Sequence, residues 1–487
     1  MKKFLTLFLV FVLTLGMMIA TGCQREPDDQ SSAEPLPEGI VFNEKSGELY
    51  YNTKENKTPI KVTYSDGNGH EWIRQSAGAF LQAEEGKDYY FVLTSDNNAT
   101  AGMSSKLEGG TNLDDIYCLL ASPWYSYAAL DQLENLDDLY DMTIPGETKT
   151  VGNKITGTWT TYGKAKNRGE EHYYVFPLST MVTGIVYNKT MFDEYGWQVP
   201  ATVDELATLC EKIVADTKGA IKPFVYPGAV DGGYWDFVGT NWWLQVTGKE
   251  KMDEFMKFET AENFNHDKMS SPSYGKYLML ETYESLIVKN RNKYVVAQSA
   301  SYLHKQAQQQ FGAGVAAMIP NGSWIQNEFG KDIDDEIRMM PVPLMDGALS
   351  DGGKPITYNY SGQPDFICIP KAASNKEGAK AFLAYMCRDD MLKKYTEVSG
   401  TARPFDYDVT GCNVNEFQRS CLDIWANSIT WFEASTSDLW TGSKIRKFNS
   451  GSPYTAIMVN YPSMTADQWC ASEYTGVRGL YDSLGLL

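Results

Sequence analysis

Short apolar runs alternate along this chain with longer segments whose apolar residues recur at helical spacing. The runs at 60–64, 91–94, 115–120 and 315–319 predict strands, and the segments that follow them predict helices. Glycine-rich or Pro-Asn-Gly turns separate several of these strands from the next helix. Alternation of this kind is typical of α/β proteins with largely parallel sheets.

Two helices carry a start signal that can be read directly from the sequence. Thr202 and Glu205 have the spacing of a capping box, and an apolar stripe follows them until Gly219. Ser374 and Glu377 have the same spacing ahead of a second apolar stripe. We therefore predict capped helices that begin at these two places.

The first 23 residues have the pattern of an export signal. Met1-Lys2-Lys3 precedes an uncharged apolar run at 4–20, and the string Ala-Thr-Gly-Cys ends at Cys23. This string resembles a bacterial lipobox, although the run is also about as long as the shortest membrane-spanning helices. We expect a signal peptide at 1–22, a lipidated Cys23 and a flexible tether at 23–39. The expected location is the extracytoplasmic face of the cell membrane.

Length and composition narrow the class of protein. The chain has 487 residues, and because one hydrophobic core serves at most about 250–300 residues, two lobes are expected. The formal charge is −19, and it becomes −21 when Lys2 and Lys3 are removed with the signal. This acidic balance argues against a nucleic-acid binder and against docking to anionic lipid through charge. The 12 Trp and 30 Tyr suit a site for neutral polyhydroxylated molecules, although large cores also use such rings.

Five segments resemble, in order and at matching spacing, one bacterial family. They are the strand, Tyr-Asn-Lys and helix at 183–213, the segment 311–324 that ends in Gly-Ser-Trp, the strand at 339–344, the strand, Lys and helix at 364–386, and the turn at 399–405. The family is the extracellular solute-binding lipoproteins of bacterial ABC importers, the group that includes the maltose-binding protein. The resemblance covers roughly residues 60 to 405, and the last 80 or so residues match poorly.

The resemblance implies a two-lobe α/β fold of the periplasmic-binding-protein type II, each lobe a mostly parallel sheet flanked by helices. The implied first lobe is 40–176 plus 341–373, and the implied second lobe is 177–340 plus 374–487. The chain would cross between them near Pro177, Pro341 and Ala373. The ligand would lie in the cleft between the lobes, which close by hinge rotation.

The resemblance also implies partners. A member of this family would capture a carbohydrate, here an oligosaccharide, and deliver it to the permease subunits of an ABC transporter. It would be a monomer that contacts the membrane through its N-terminal lipid only, and it would need no cofactor. Stacking rings also serve non-sugar polyols and peptides, so the identity of the ligand stays open.

A sugar site needs aromatic rings for the C–H faces of the sugar and planar polar groups for its hydroxyls. In open α/β sheets these groups come from loops at the carboxyl ends of strands. Trp324 follows a strand and a Pro-Asn-Gly turn, and the resemblance places it at the family's stacking Trp. The backbone N–H groups of Gly322 and Ser323 are expected to donate to a ligand oxygen. The alternative for Trp324 is a core position at the end of the sheet.

The other candidate ligand-binding residues follow strands or glycine-rich turns, or lie near the C-terminal end. Each ring has an alternative role in a core, and each charged group has one as a helix cap or a surface residue. The candidates are Trp124 and Ser122 after the strand at 115–120, Tyr187 in Tyr-Asn-Lys, Tyr234, Trp235 and Asp236 after two glycines, Asp66 and Glu71 beside a glycine-rich turn, Arg403 in the turn at 399–405, and Trp431 and Trp440 in the poorly matched end.

The sequence has none of the local motifs that mark hydrolases, NTPases or metal sites. The four His are scattered, and no Gly-x-Ser-x-Gly turn or phosphate-binding glycine loop occurs. The cysteines after Cys23 form no Cys-x-x-Cys pair, and any disulfide would draw on Cys412, Cys421 and Cys470. We therefore expect no catalytic residue and no metal. A secreted carbohydrate-active enzyme and a non-transport sugar-sensing or adhesion lipoprotein stay open as alternatives.

Overall fold

The computed structural model describes residues 35–65, 69–120, 123–167, 169–329, 333–362, 364–435, 437–441, 444–445 and 464–487. The predicted signal peptide, Cys23, Asp66 and Ser122 lie outside the described residues. Residues 37–487 form one compact unit. In the described part of the chain, every helix is too short or too polar to cross a membrane.

Strands follow the apolar runs that the sequence shows. The four strands predicted at 60–64, 91–94, 115–120 and 315–319 are confirmed. The strands are β1 (Ile40–Asn43), β2 (Glu48–Tyr51), β3 (Thr58–Tyr64), β4 (Tyr89–Ser95), β5 (Ile116–Leu120), β6 (Lys164–Asn167), β7 (Glu170–Tyr173), β8 (Phe176–Ser179), β9 (Thr183–Asn188), β10 (Lys222–Phe224), β11 (Ala316–Gly322), β12 (Ile337–Met340), β13 (Ser350–Asp351), β14 (Lys354–Pro355), β15 (Tyr358–Tyr360), β16 (Asp365–Cys368) and β17 (Ile429–Trp431).

Helices fill the segments between the strands. Short 3-10 turns lie at Glu84–Gly86, Asp231–Tyr234, Ala261–Phe264 and Ser299–Ser301. The α-helices are α1 (Glu71–Gln82), α2 (Ala99–Gly109), α3 (Trp124–Ala129), α4 (Asp137–Asp141), α5 (Val151–Lys154), α6 (Trp159–Tyr162), α7 (Lys189–Tyr195), α8 (Val203–Asp216), α9 (Trp235–Thr247), α10 (Lys249–Phe255), α11 (Pro272–Tyr283), α12 (Arg291–Tyr294), α13 (His304–Gly312), α14 (Ile325–Phe329), α15 (Lys376–Tyr385), α16 (Asp389–Ser399), α17 (Glu416–Ala426), α18 (Asp438–Thr441) and α19 (Ala466–Ser483).

One predicted helix cap is confirmed and the other is wrong by one residue. Thr202 Oγ1 accepts from the backbone N–H of Glu205 at 3.2 Å, and Glu205 Oε2 accepts from the N–H of Ala201 at 2.7 Å. At α15 the cap is Asn375, whose Oδ1 accepts from the N–H of Gly378. Because the helix begins one residue later than the pattern predicts, Ser374 lies one residue before the cap position, and Glu377 is not its capping partner.

Two sheets organise the chain, and they define the two lobes. The first lobe is built on a seven-stranded sheet of order β1-β2-β4-β3-β5-β16-β8, and the second on a four-stranded sheet of order β10-β11-β9-β12. Parallel pairs are β3 with β4, β3 with β5, and β10 with β11, whereas the other pairs are antiparallel. The expectation of mostly parallel sheets is therefore wrong. One physical reason is that β9 and β16, which follow a crossing between the lobes, run against their neighbours, and a second is that β2 forms a hairpin with β1.

The register shows which edges of the two sheets receive these returning strands. Leu120 at the end of β5, Ser179 at the end of β8 and Asp365 at the start of β16 are paired neighbours. In the second sheet, Gly322 at the end of β11 pairs with Thr183 at the start of β9. The chain leaves the first sheet and enters the second within four residues, so these two edges face each other.

Each sheet carries its own hydrophobic core. The first core includes Ile60, Phe91 and Phe382. In the second sheet, alternate residues of β9 contribute to two cores on opposite faces, and residues of β11 contribute to both. Residues Val342 to Tyr360 contribute to the second lobe, and residues Ala373 to Phe405 contribute to the first. The predicted boundaries place 341–373 in the first lobe and 374–487 in the second. These boundaries stay a prediction.

Two segments that join the lobes, 180–182 and 361–362, are hydrogen-bonded to each other. The side chain of Asn359 accepts from the N–H of Thr183 at 3.2 Å and donates to the carbonyl of Met181 at 3.0 Å. Ser361 Oγ accepts from the N–H of Met181 at 3.0 Å. Asn359 is completely buried, so it fixes the two crossing segments as one unit.

The cysteines of the described chain are free and buried. They include Cys412, Cys421 and Cys470, which were the expected members of any disulfide. Burial raises the pKa of the Cys470 thiol to about 12, so this thiol is a packed apolar group and not a reactive thiolate.

Candidate functional site

Three aromatic rings form a wall at the edge of the second sheet that faces the first. The rings of Phe237 and Trp324 have centroids 5.3 Å apart, Tyr234 and Trp324 are 6.2 Å apart, and Tyr234 and Phe237 are 5.1 Å apart. Each pair is tilted or edge-on, the geometry that aromatic pairs prefer. All three side chains are only partly buried. We call these three residues the ring wall.

Trp324 reaches this position because the backbone beneath it has no side chain. A Cβ atom on Gly322 would lie 2.0 Å from the indole ring of Trp324, so only glycine permits the ring to fold over the end of β11. The segment Pro320-Asn321-Gly322, which the sequence predicts as a turn, is the end of β11, and α14 begins at Ile325, directly after Trp324. The role of Trp324 as a stacking ring stays a prediction.

The backbone donors expected beside Trp324 are already engaged. The N–H of Gly322 donates to Oδ1 of its neighbour Asn321 at 2.8 Å, and the N–H of Ser323 donates to the carbonyl of Val182 at 2.8 Å. The expectation that these two groups donate to a ligand is therefore wrong for this conformation. Ser323 instead ties the end of β11 to a crossing segment.

A strained loop presents the rest of the ring wall. Gly232, Gly233 and Tyr234 all have positive φ, at 73°, 56° and 63°. Left-handed backbone is open to glycine but costs a tyrosine roughly 1–3 kcal/mol. Strain of this kind persists where the surrounding structure holds a side chain in place, and such positions cluster at ligand sites.

The three candidates that follow these glycines have different environments. Trp235 is 1% exposed and packs against Phe224 and Tyr283, so it belongs to the second core. Tyr234 and Asp236 are partly exposed. Burial, aided by the nearby carboxylates of Glu328 and Asp236, raises the pKa of Tyr234 to about 12, so its hydroxyl stays protonated and is able to donate.

Phe237 was missed by the sequence reasoning, and the sequence of α9 offers little signal for it. The helix is buried on most of its surface, and Trp235, Trp242, Trp243 and Leu244 are all buried. Because buried residues surround the helix, its apolar pattern does not separate the partly exposed Phe237 from the rings of the core.

The facing edge of the first sheet carries a second group of rings. Trp124, at the start of α3, is 2% exposed, and its indole N–H donates to the hydroxyl of Tyr162 at 3.0 Å. Tyr162 packs against Trp159 and Phe432, with centroids 5.1 Å from both. Trp124 is thus a packing residue in this conformation, and Tyr162 is the partly exposed ring beside it. The sequence reasoning missed Tyr162 because it lies in a polar stretch without a strand signal.

Four other candidates are buried away from solvent. Tyr187 is 6% exposed and packs on Phe192, and Trp440 is 4% exposed and stacks on Phe258. Trp431 is 1% exposed and donates its indole N–H to Asp253. Arg403 has no exposed surface. In this conformation none of these four side chains offers a surface to a ligand.

Glu71 lies in the first turn of α1, at a helix start on the first lobe. It accepts from Arg74 at 3.2 Å, and beside it Nδ1 of His70 is 3.0 Å from the hydroxyl of Tyr64. A carboxylate in a first turn is favoured by the helix dipole. This contact fits the alternative reading of Glu71 as a helix-start charge, and its role toward a ligand stays a prediction.

The chain was compared with known proteins. The profile of the bacterial extracellular solute-binding protein family matches residues 51–391. A diacetylchitobiose-binding protein, NgcE of Streptomyces coelicolor, is 28% identical over 276 residues, 55% of this chain and 53% of that protein. The chain therefore spans about half the length of this relative. The melibiose/raffinose/stachyose-binding protein MelE of Bacillus subtilis is 21% identical over 80% of this chain and 79% of its own.

The fold is also that of solved structures. Apo RafE from Streptococcus pneumoniae superposes with a TM-score of 0.62 at 16% identity, covering 88% of this chain and 98% of that one. An identity this low shows the fold alone. The superposition confirms the predicted two-lobe α/β architecture. Because the family profile covers well over half of the residues, the chain belongs to the bacterial extracellular solute-binding protein family.

Proposed function

We propose that this protein binds an oligosaccharide between its lobes and delivers it to an ABC importer in the cell membrane. The observation that carries the proposal is the ring wall, in which three partly exposed rings lie at the sheet edge facing the other lobe. Aromatic faces of this kind stack on the C–H faces of sugars. Two relatives are named for binding diacetylchitobiose and melibiose, raffinose or stachyose, which supports the same ligand class.

The roles of individual residues follow from their exposure. Trp324, Phe237 and Tyr234 would stack on the sugar, and the neutral hydroxyl of Tyr234 and the carboxylate of Asp236 would bind its hydroxyl groups. Tyr162 would contact the ligand from the first lobe. Binding energy that is gained only when both lobes touch the ligand would stabilise the closed state.

In this proposal one lobe is built on the core of the first sheet, and the other on the two cores of the second sheet. The first would comprise 40–179 with 365–405, and the second 183–360 with 416–431 and the C-terminal helix. The crossing segments 180–182 and 361–362, clamped by Asn359, would form part of the hinge. Hinges are short segments of this kind that absorb the change in backbone angles.

The proposal includes attachment to the membrane through a lipidated Cys23, monomeric behaviour and the absence of catalysis. We expect Cys23→Ala to abolish incorporation of labelled fatty acid in a bacterial host, whereas Cys412→Ala leaves it intact. Equal labelling of Cys23→Ala and the parent chain would contradict the lipid anchor. Loss of the anchor would leave the proposed sugar binding untouched.

Calorimetric titration of the mature protein with raffinose, stachyose, melibiose and diacetylchitobiose tests the ligand class. We expect one ligand to bind with micromolar or tighter affinity, about −8 kcal/mol, and to be recovered unchanged. Trp324→Ala should weaken this binding tenfold or more, because the lost stack and apolar contact are worth over about 1.4 kcal/mol.

Trp469→Ala is the matched control. Trp469 is also partly buried, but it lies in the C-terminal helix α19 and packs on Lys276. It should leave the affinity within twofold of the parent. Steady hydrolysis of a glycoside would contradict the proposed binding function and support the alternative of a carbohydrate-active enzyme. An unchanged affinity of Trp324→Ala would remove the ring wall from the site.

A further inference from the structure

A cluster of metal-ligating side chains joins the C-terminal helix α19 to the loop before α11. His266 and Asp267 lie in this loop, and Asp467 lies in the first turn of α19. Nε2 of His266 is 3.2 Å from Oδ1 of Asp467 and 3.8 Å from Oδ1 of Asp267. The ligand atoms of all three residues lie within 4.8 Å of one another.

His266 is buried, and one of its two ring nitrogens has no hydrogen-bond partner among the described residues. Its side chain is 5% exposed, and among the described residues no polar atom pairs with its second nitrogen, Nδ1. A buried nitrogen without a partner loses the hydrogen bond that it makes to water in the unfolded chain, so this arrangement calls for an explanation. The imidazole is held in place by packing against Tyr277, whose ring centroid is 5.5 Å away.

A second unpaired atom lies on the same helix as Asp467. Glu473 is 5% exposed, and its Oε1 accepts from Lys276 at 2.6 Å, whereas Oε2 pairs with no polar atom of the described chain. Burial raises the pKa of Glu473, while the charges of Lys276 and His266 act on the same carboxylate in the opposite direction. His266 therefore lies near Glu473, and no hydrogen bond joins the two side chains in this conformation.

These two atoms have complementary roles when a metal ion binds His266. A ligating histidine donates its other ring N–H to a carboxylate or carbonyl, which fixes the ring and raises the basicity of the bound nitrogen. Nδ1–H of His266 and Oε2 of Glu473 would supply the donor and the acceptor of such a pair after a side-chain movement, because both atoms are buried and make no hydrogen bond in this conformation.

We propose that His266, Asp267 and Asp467 bind a divalent transition-metal ion such as Zn²⁺ or Mn²⁺, with Glu473 as the outer partner of the histidine. One imidazole nitrogen with two carboxylates suits these ions, whereas Ca²⁺ and Mg²⁺ prefer oxygen ligands alone. Ligand atoms about 2.1 Å from one metal ion lie about 3.0–3.4 Å apart. The 3.2 Å pair already has this spacing, and Asp267 is exposed and free to turn inward.

The bound ion would fasten the start of α19 to the body of the second lobe. It would bridge the loop at 266–267 and the first turn of the helix, and it would offset the two carboxylates that lie beside each other there. The site shares no residue with the ring wall, so it is independent of the proposed sugar binding. It also departs from the sequence expectation of no metal.

The test is titration of untagged, EDTA-treated mature protein with ZnCl₂ and with MnCl₂. We expect one saturable site per chain and a rise in the midpoint of thermal unfolding that chelator reverses. Asp467→Asn keeps the size and hydrogen-bonding capacity of the side chain but removes a ligand, and it should weaken metal binding at least tenfold. His266→Ala should have at least the same effect.

Asp482→Asn is the matched control, because Asp482 is an exposed carboxylate near the end of the same helix. It should bind metal as the parent does. Equal affinity of Asp467→Asn and the parent, or an absence of saturable binding, overturns the proposal. Co²⁺ offers a spectroscopic check, because loss of the imidazole ligand must change its visible absorption even if stability is altered by the substitution.

Discussion

The guanidinium of Arg403 lies entirely inside the first core, and no carboxylate of the described residues pairs with it. It donates to the carbonyls of Leu178 at 2.9 Å, Pro177 at 2.8 Å and Met386 at 3.1 Å. The rings of Phe176, Tyr395 and Phe405 surround it at 4.8 to 5.6 Å. Burial lowers the pKa of this arginine. Its contacts are with the strand that leads into the crossing segment, so its role is to hold that strand.

We expect Arg403→Ala to lower the free energy of unfolding by about 3 kcal/mol or more, because three buried carbonyls lose their donor and a cavity opens. Denaturant unfolding measures this loss, and Arg478→Ala, at an exposed position, should stay within about 0.5 kcal/mol of the parent. The fraction of Arg403→Ala that folds should keep its ligand affinity. A specific loss of affinity with unchanged stability would instead support the sequence hypothesis that Arg403 binds ligand.

The rings show how far residues of the site can be predicted from the sequence. The place of Trp324 just after a strand was predictable, because the apolar run before it is a local pattern, but the Pro-Asn-Gly segment continues β11 and forms no turn. The division between Tyr234 and Trp235 was not, because it depends on where α9 begins and on which face of it is covered by distant strands. Trp431 is adjacent to Phe432 in sequence, yet the two belong to different cores, a fact that only non-local packing determines.

At the scale of elements, helix starts are held by contacts that reach other elements as well as by local caps. Asn375 caps α15 through Oδ1, and its Nδ2 donates to the carbonyl of Pro59 near the start of β3. Ser374, which the sequence pattern favours as the cap, donates instead to Asp115 at 3.1 Å. The pattern located the helix, but only the neighbouring strand decides which residue caps it.

We expect Asn375→Ala to destabilise the protein by about 1–2 kcal/mol, because a cap and the partner of a backbone carbonyl are lost together. Ser374→Ala should cost less, because the N–H of Asn375 still donates to Asp115 at 2.7 Å. Thermal or denaturant unfolding of the two variants gives the order directly. A larger loss for Ser374→Ala would mean that the predicted cap, and not Asn375, holds the helix.

The same distinction explains how much of the fold the sequence predicts. Strands such as β3, β4 and β5 are local apolar runs and were predicted to within a few residues. The antiparallel entry of β16 between β5 and β8 was not predicted, because strand direction depends on the route of the chain between lobes. The crossing expected near Pro177 lies only a few residues from the segment at 180–182, whereas Val342 and Ala373 each share a core with the strand that precedes them.

At the scale of the whole molecule, the two lobes have separate cores and are joined by segments that cross between them. In the described chain these segments include 180–182, 361–362 and 406–415, and Asn359 ties the first two together, so a ligand that touches both lobes would add a further link. Any ligand that binds only the folded state stabilises it in proportion to its saturation. For a ligand between the lobes, the stabilised unit is both lobes together.

We therefore expect saturating oligosaccharide to raise the midpoint of thermal unfolding for the whole calorimetric transition. At a ligand concentration 100 times the Kd the stabilisation is about 2.7 kcal/mol, and a tenfold weaker Trp324→Ala should gain only about 1.4 kcal/mol at the same concentration. Differential scanning calorimetry separates the possibilities, because a ligand held by one lobe alone would shift only the part of the heat absorbed by that lobe. A split transition in which a single component moves would place the sugar on the ring wall without contact to the first lobe, and Tyr162 would then have no part in binding.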